Sequence, residues 1–223
     1  IWGIPAKQVV RTRAFIFSGL AMICLSFSTT AVLVHQVPYM ESHLGLSKSV
    51  AGSTVALYTL FSIVGRLGLG MLGDRVSKPL LIACCAVLIG TGTIAMALAT
   101  EFWQVVLAIM LISPGFGGTI PVRPAMMADF FGTRHFGTVN GIAALMNTTG
   151  GALGPWAVGL IVDMTGEYQT GWFLPAGVGL LAAPLVLMAR PPRELAAHYR
   201  AEAAAQHPER TRAGSLPPSV HAE

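Results

Sequence analysis

Apolar residues lie along this chain in long, nearly uninterrupted runs. Six such runs, here called spans one to six, cover residues 15–37, 49–71, 79–100, 102–122, 134–162 and 171–189. Each run is close to the ~20 residues that an α-helix needs to cross the hydrocarbon core of a bilayer. The pattern therefore predicts an all-α membrane protein with six transmembrane helices. An even number of crossings places both ends of the chain on the same side of the membrane.

The runs divide the chain into three parts. Residues 14–190 hold the predicted six-helix bundle, and residues 1–13 have a mixed composition. Residues 191–223 place arginines among Pro, Ala and Glu, which is typical of a short amphipathic start followed by a largely disordered tail. The sequence begins with Ile1 and lacks the pattern of a signal peptide, so we expect it to be the later part of a longer protein.

The composition agrees with a lipid environment. Hydrophobic residues make up 53% of the chain and charged residues 11%, with a mean hydropathy of +0.64. A soluble domain usually carries about 25% charged residues. Most basic residues flank apolar spans, so the net charge of +4 indicates membrane topology and no nucleic-acid partner. The cysteines lie inside apolar runs without metal-ligand spacing, and we expect no metal and no cofactor.

Basic residues are distributed unequally between the two sides of the membrane. Lys48 is the only Lys or Arg in the segments between spans on one side. The other side holds residues 1–13, 74–78 and 132–137 and the tail, and these carry all the other loop lysines and arginines. Cytoplasmic loops carry the excess of Lys and Arg, so both termini are predicted to be cytoplasmic. We expect the plasma membrane, as the inner membrane of a bacterium.

Two spans end in the same short motif. Span two ends in Gly70-Met-Leu-Gly-Asp74, and span five ends in Gly159-Leu-Ile-Val-Asp163, on the opposite side of the membrane. Three helices followed by three similar helices of opposite orientation form an inverted repeat, which is typical of secondary transporters. On the sequence alone, a chance similarity between such short motifs is the alternative.

Charged residues at the span ends predict a conformational latch. A carboxylate at a helix C-terminus faces the negative end of that helix's dipole, so we expect Asp74 to accept hydrogen bonds from the first turn of span five. By symmetry, Asp163 is predicted to do the same for the first turn of span two, and Arg75 is predicted to pair with Asp129. The predicted latch residues are Gly70, Asp74, Arg75, Lys78, Asp129 and Asp163.

Polar residues inside the spans are candidates for substrate binding. Span two carries Thr54, Tyr58, Ser62 and Arg66, which are spaced by four residues. Polar side chains inside a membrane face neighbouring helices or a water-filled cavity, and plain interhelical hydrogen bonding is the alternative. Arg66 has no carboxylate within one helical turn, which favours an external anion, although snorkelling to the surface is also possible. The predicted substrate-binding residues are Arg66, Tyr58, Ser62, His35 and Asn147.

Span four contains breaks in its apolar pattern. Pro114-Gly-Phe-Gly-Gly118 and Pro121 predict a bend or a flexible gate. Arg123 follows near the predicted cytoplasmic end of this span, and we interpret it as a snorkelling arginine.

At this point the sequence resembles the major facilitator superfamily. The motif Gly70-x-x-x-Asp74-Arg75-x-x-Lys78 looks like the loop signature between the second and third helices of each six-helix half, although Val76-Ser77 depart from it. Further matches are similar to monocarboxylate and oxalate/formate-type carriers, and these are Arg11-Thr-Arg13-Ala-Phe15, Gly65-Arg66, Gly115-Phe-Gly-Gly118, Ala128-Asp129-Phe-Phe-Gly132 and Gly151-Ala-Leu-Gly154-Pro155.

The resemblance implies that the six spans are the family's seventh to twelfth helices. Residues 1–13 are then the cytoplasmic end of a central loop, and an N-terminal six-helix half is missing from this chain. The resemblance also implies that Arg66 matches an arginine that those carriers use near the substrate carboxylate.

The leading functional hypothesis is half of a secondary active transporter, an antiporter or symporter, that moves a small organic anion by alternating access. The first alternative is a drug- or sugar-type carrier in which Arg66 is structural. An enzyme is not expected, because the sequence contains no Gly-x-Ser-x-Gly or His-Glu-x-x-His motif. A non-transporting membrane scaffold is the remaining alternative. A scaffold needs a segment outside the membrane that binds partners, and the short arginine-containing tail is the candidate for it.

Overall fold

A computed structural model describes residues 2–73 and 75–206. The described residues form eight α-helices, namely α1 (Ala6–Val9), α2 (Arg13–His43), α3 (Lys48–Leu72), α4 (Lys78–Ala97), α5 (Phe102–Phe131), α6 (Phe136–Thr165), α7 (Tyr168–Met188) and α8 (Arg193–Gln206). The six long helices α2 to α7 correspond to spans one to six, which confirms the predicted all-α class.

Five of the long helices, all except α6, are long and apolar enough to cross a membrane. Helix α6 is as long as α5, with 30 residues or about 45 Å of helix. It is richer than α5 in asparagine, threonine and glycine. It lies along α2 within the bundle. Its polarity indicates a helix that faces protein or a cavity on part of its surface.

Two helices run further than the apolar pattern predicted. Helix α5 continues for nine residues beyond position 122, and it remains α-helical through Pro114, Pro121 and Pro124. Helix α2 likewise continues past Pro38 to His43. Proline is tolerated inside transmembrane helices because neighbouring helices and side chains compensate for the lost hydrogen bonds. The sequence signal for a break in span four therefore corresponds to a continuous helix.

The packing of the long helices follows an inverted repeat. Helix α2 packs most extensively against α6, and α3 packs most extensively against α5. Helices α4 and α7 pack against each other, while α4 also contacts α5 and α7 also contacts α2. Exchanging α2 with α5, α3 with α6 and α4 with α7 leaves this set of contacts unchanged. The predicted 3+3 arrangement is thus confirmed.

Glycines at matching repeat positions allow close helix contacts. Gly65 lies five residues before Gly70, and Gly154 lies five residues before Gly159. A Cβ atom at Gly65 would collide with the backbone of Pro114 on α5, and one at Gly154 would collide with the backbone of Phe27 on α2. Small residues allow transmembrane helices to approach this closely.

Helices α3 and α6 are the least covered of the long helices. Their buried residues form a narrow stripe, which in α3 consists of Ala51, Thr54, Tyr58, Ser62 and Gly65. Large apolar side chains elsewhere on these two helices are exposed, and these include Leu60, Val64, Leu67, Met71, Leu145, Trp156 and Met164. The six-helix unit therefore presents two apolar helix faces that other groups, either lipid or protein, must cover.

The two ends of the described chain meet at one end of the bundle. The backbone of Trp2 accepts a hydrogen bond from Thr133 N at 2.9 Å. The guanidinium of Arg200 on α8 lies 4.3 Å from the ring centre of Trp2, and Tyr199 donates to Gln8 Oε1 at 3.0 Å. The predicted amphipathic start of the tail is helix α8, and most of the predicted disorder falls on residues 207–223, which lie outside the described residues.

Candidate functional site

The polar stripe of α3 packs onto α5. Thr54, Tyr58 and Ser62 are all buried, and the Tyr58 ring lies 5.6 Å from that of Phe116. The hydroxyl groups of Thr54 and Ser62 donate to carbonyl oxygens of their own helix at 2.6 and 2.9 Å. The Tyr58 hydroxyl has no hydrogen-bond partner among the described residues. These three side chains therefore serve the contact between α3 and α5 in this conformation.

Arg66 continues the stripe but leaves the contact with α5. Its side chain is exposed, and it forms no hydrogen bond or ion pair with any described residue. Its neighbours Ile63 and Leu67 are exposed apolar residues. The guanidinium thus lies on an uncovered apolar helix face, where it is accessible to an anion or to another part of a larger assembly.

His35 joins three helices at the opposite end of the bundle. Its Nε2 atom lies 2.9 Å from the carbonyl oxygen of Pro155 on α6, and its ring centre lies 5.8 Å from that of Tyr168 on α7. Helices α2 and α3 are joined by a short connection and run in opposite directions. Because His35 and Arg66 both lie in the C-terminal third of their helices, the fold places them towards opposite ends of the bundle.

Asn147 contacts an arginine that the sequence analysis interpreted differently. Its Oδ1 atom accepts a hydrogen bond from Nη1 of Arg123 on α5. The Nε atom of Arg123 donates to the carbonyl oxygen of Thr119 at 3.2 Å. Arg123 is partly buried, and it is held by α5 and α6 instead of extending to the surface.

Arg123 and Asn147 line two neighbouring clefts between α2, α5 and α6. The larger cleft has a volume of about 220 Å³, and its other lining residues are Met22, Ile120, Pro124, Asn140, Ala143 and Ala144. The smaller cleft has a volume of about 130 Å³, and its other lining residues are Leu25, Ser26, Thr29, Thr30, Phe116 and Thr119. The sequence marked both Arg123 and Asn147 as polar residues inside apolar helices, but it did not indicate that they contact each other.

One ion pair joins two of the predicted latch residues. Lys78 Nζ lies 2.5 Å from Asp129 Oδ2, whereas the sequence analysis paired Asp129 with Arg75. The side chains of Arg75 and Asp163 are exposed and form no hydrogen bond or ion pair with a described residue, so the Asp163 carboxylate does not cap the first turn of α3 in this conformation. Gly70 lies beside the ring of Pro121 on α5. Asp74, for which a contact with the first turn of span five was predicted, lies outside the described residues.

A sequence profile described as "Major Facilitator Superfamily" matches residues 16–217. Among similar proteins, monocarboxylate transporter 13 of Rattus norvegicus is 29% identical over 162 residues, which cover 71% of this chain and 37% of that protein. The D-xylose transporter of Levilactobacillus brevis is 23% identical over 182 residues, which cover 82% of this chain and 39% of that protein. This chain therefore spans less than half the length of these relatives.

Solved structures show the same fold. The E. coli fucose:proton symporter FucP matches with a TM-score of 0.72 and 17% identity over 82% of this chain and 44% of that one. A peptide transporter POT bound to alafosfalin matches with a TM-score of 0.74 and 20% identity over 94% of this chain and 49% of that one. In both cases the six-helix unit aligns with slightly less than half of the solved chain.

Proposed function

Because this chain belongs to the Major Facilitator Superfamily, we propose that it forms one half of a secondary active transporter for a small, monocarboxylate-like organic anion. Alternating access comes from rocking of two six-helix halves around a shared substrate site. The superfamily and the transporter relatives argue against an enzyme, and the proposal requires no catalytic residue, metal or cofactor.

The uncovered faces of α3 and α6 support a second six-helix half as partner. These faces expose large apolar side chains, among them Leu67 on α3 and Trp156 on α6. A contiguous exposed apolar face marks a surface that contacts protein or lipid. We propose that an N-terminal half covers part of both faces, and that lipid covers the outer surfaces of α4 and α7.

The observation that carries the substrate class is the position of Arg66. It is a cation on a membrane helix without a carboxylate partner among the described residues. A charge inside a membrane is costly unless it is paired, and a carboxylate accepts charge-assisted hydrogen bonds from guanidinium groups. We propose that the carboxylate of the substrate is the counter-ion of Arg66 at the interface between the halves.

The other predicted site residues receive different roles in this proposal. Asn147 lies beside a cleft and contributes to the anion path, whereas the buried Tyr58 and Ser62 hold α3 against α5. His35 connects α2 with α6 and α7 towards the outer end. The ion pair of Lys78 with Asp129 is the part of the proposed latch that the described residues support.

The unequal distribution of basic residues supports a proposed orientation. Arg75 lies between α3 and α4, Lys78 is the first residue of α4, and Arg134 lies between α5 and α6. All three lie at the end of the bundle that also holds both ends of the described chain. By the positive-inside rule, we propose that this end is cytoplasmic. We also propose that the membrane is the plasma membrane, as the inner membrane of a bacterium.

A sugar-type carrier is the second candidate function. It is favoured by the similarity to a D-xylose transporter over 82% of this chain. In that case Arg66 is structural, and its partner is a group of the second half. A neutral sugar offers hydroxyl groups but no charge, so the role of Arg66 in uptake distinguishes the two candidates.

Uptake by the product of the complete gene tests the proposal. The protein is reconstituted in proteoliposomes, and uptake of labelled formate, lactate, oxalate and D-xylose is measured for the wild type and for Arg66→Gln. Hydrogen bonds to charged groups contribute about 1.5–3 kcal/mol, so we expect Arg66→Gln to lower carboxylate uptake at low concentration by about tenfold or more.

The control variant is Arg11→Gln, which removes an equal charge from an exposed position outside the membrane helices. We expect this variant to transport at the wild-type rate, and Arg66→Lys to retain partial activity. Uptake of D-xylose alone, or carboxylate uptake that is equal in the wild type and Arg66→Gln, would contradict the proposal.

A further inference from the structure

Arg123 is directed into the bundle and not towards the nearer end of its helix. It lies eight residues before Phe131, the last residue of α5, and therefore about 12 Å from that helix end. Its Nε atom donates to the carbonyl of Thr119, which lies one turn further from that end. A snorkelling side chain extends in the other direction, towards the interface. Arg123 is therefore a cation held inside the membrane region.

The acceptors of this cation are neutral. Its partners are a backbone carbonyl and the amide of Asn147, and the ion pair in the described part of the chain joins Lys78 and Asp129 elsewhere. A carboxylate offers the guanidinium an opposite charge and two oxygens in a matching geometry, which a neutral amide oxygen does not, and the attraction is stronger where water is excluded. A carboxylate that reaches Arg123 is thus a better acceptor than the amide of Asn147.

The Arg123–Asn147 bond lies between the two clefts. These two residues are the lining residues that the clefts share, so the bond separates a larger space from a smaller one. Apolar residues such as Met22 and Ile120 line the larger cleft, and the hydroxyl-bearing residues Ser26, Thr29 and Thr30 line the smaller one.

The clefts are open on one side and have room for a small ligand. At about 30 Å³ per water molecule, volumes of about 220 and 130 Å³ hold roughly seven and four waters. A ligand with few heavy atoms fits, with its carboxylate at Arg123 and a short apolar or hydroxylated body in one cleft. The chemistry corresponds to a short aliphatic or hydroxy acid.

We infer that Arg123 and Asn147 form a second anion subsite, in which Asn147 occupies the guanidinium until the carboxylate of a small acid displaces it. The inference rests on the proposed function, because it assumes that the substrate is a small organic anion. It adds a subsite between α2, α5 and α6, whereas Arg66 lies on α3. A substrate that moves through this groove breaks the bond between Arg123 and Asn147.

Asn147→Asp tests the inference most sharply, because it places a permanent carboxylate where the amide is now. In the complete gene product, an internal Asp at position 147 pairs with Arg123 and competes with the ligand. We expect the Kd of lactate and formate, measured by titration calorimetry on purified protein, to rise by about tenfold or more. We also expect the melting temperature without ligand to rise, since the buried cation gains a charged partner.

Two further variants remove or keep the positive charge. We expect Arg123→Gln to weaken lactate binding and raise the KM for uptake by about tenfold or more, with a smaller effect for Arg123→Lys, which keeps the charge but loses the planar fork. Arg134→Gln removes an exposed charge between α5 and α6 and is expected to bind as the wild type does. If Arg123→Gln does not fold, Arg123→Lys and Asn147→Asp carry the test.

The outcomes separate this inference from the proposed function. If the wild type neither binds nor transports a carboxylate, both fail. If it transports carboxylates and Asn147→Asp and folded Arg123 variants keep the wild-type Kd, only this inference is overturned. A lower melting temperature of Asn147→Asp also overturns it, because it indicates that Arg123 already has a carboxylate partner in the assembled transporter.

Discussion

Tyr58 on α3 and Asn147 on α6 occupy matching positions in the two repeats, but their surroundings differ. Each lies twelve residues before the glycine of the repeated motif, Gly70 or Gly159. The Tyr58 ring packs against Phe116, and its hydroxyl has no hydrogen-bond partner among the described residues. Asn147 faces a groove and bonds to Arg123. The repeat thus conserves the backbone contacts of the bundle, while the polar groups at equivalent positions perform different tasks.

The largest predicted effect concerns the glycine contacts that both repeats contain. Because a side chain at Gly65 or Gly154 collides with the backbone of the facing helix, we expect Gly65→Leu and Gly154→Leu each to abolish most folded, monodisperse protein. Size-exclusion chromatography in detergent measures this loss.

Gly68→Leu is the matched control on α3, since a Cβ atom at Gly68 meets open space. We expect this variant to fold as the wild type does. Normal folding of Gly154→Leu together with loss of Gly65→Leu would show that the two contacts are not equivalent.

A smaller effect is predicted for the polar side chains that differ between the repeats at equivalent positions. Asn147→Leu leaves a donor of Arg123 without its side-chain acceptor, so we expect a loss of about 1–3 kcal/mol in the free energy of unfolding. Tyr58→Phe removes a hydroxyl without a described partner, and we expect a change within about 0.5 kcal/mol. Reversible denaturation in mixed micelles measures both, and equal losses at the two positions would contradict the contrast.

The smallest predicted effect is that of the ion pair between α4 and α5. The side chains of Lys78 and Asp129 are 21% and 57% exposed, and exposed ion pairs contribute about 0.2–1 kcal/mol. We expect Asp129→Asn to change the melting temperature only slightly, and the charge exchange of Lys78→Asp with Asp129→Lys to restore it. A large loss in Asp129→Asn that the exchange does not restore would indicate another role for Asp129.

The hydrophobic pattern was sufficient to predict the number and order of the long helices. The repeated Gly-x-x-x-Asp motif indicated the inverted repeat but left a chance similarity open, and the helix packing decides between the two. Helix ends were harder to locate. Polar residues such as Asp129, together with Pro124, read as the end of a span, although α5 continues to Phe131 because adjacent helices support the chain beyond its apolar core.

The candidate site was predictable residue by residue but not as an arrangement. The sequence identified Asn147 and Arg66 as polar residues within apolar helices. It did not indicate that Asn147 meets Arg123, because the relative height of two helices depends on their packing. For the same reason it favoured Arg75 over Lys78 as the partner of Asp129, since the path of the turn after α3 decides which base reaches the carboxylate.

The central claim, that Arg66 binds the carboxylate of the substrate, is tested most directly by equilibrium binding. Titration calorimetry on the purified product of the complete gene compares lactate binding by the wild type, Arg66→Gln and Arg11→Gln. We predict that the Kd rises by about tenfold or more in Arg66→Gln and stays unchanged in Arg11→Gln. The same Kd in all three proteins would contradict the claim.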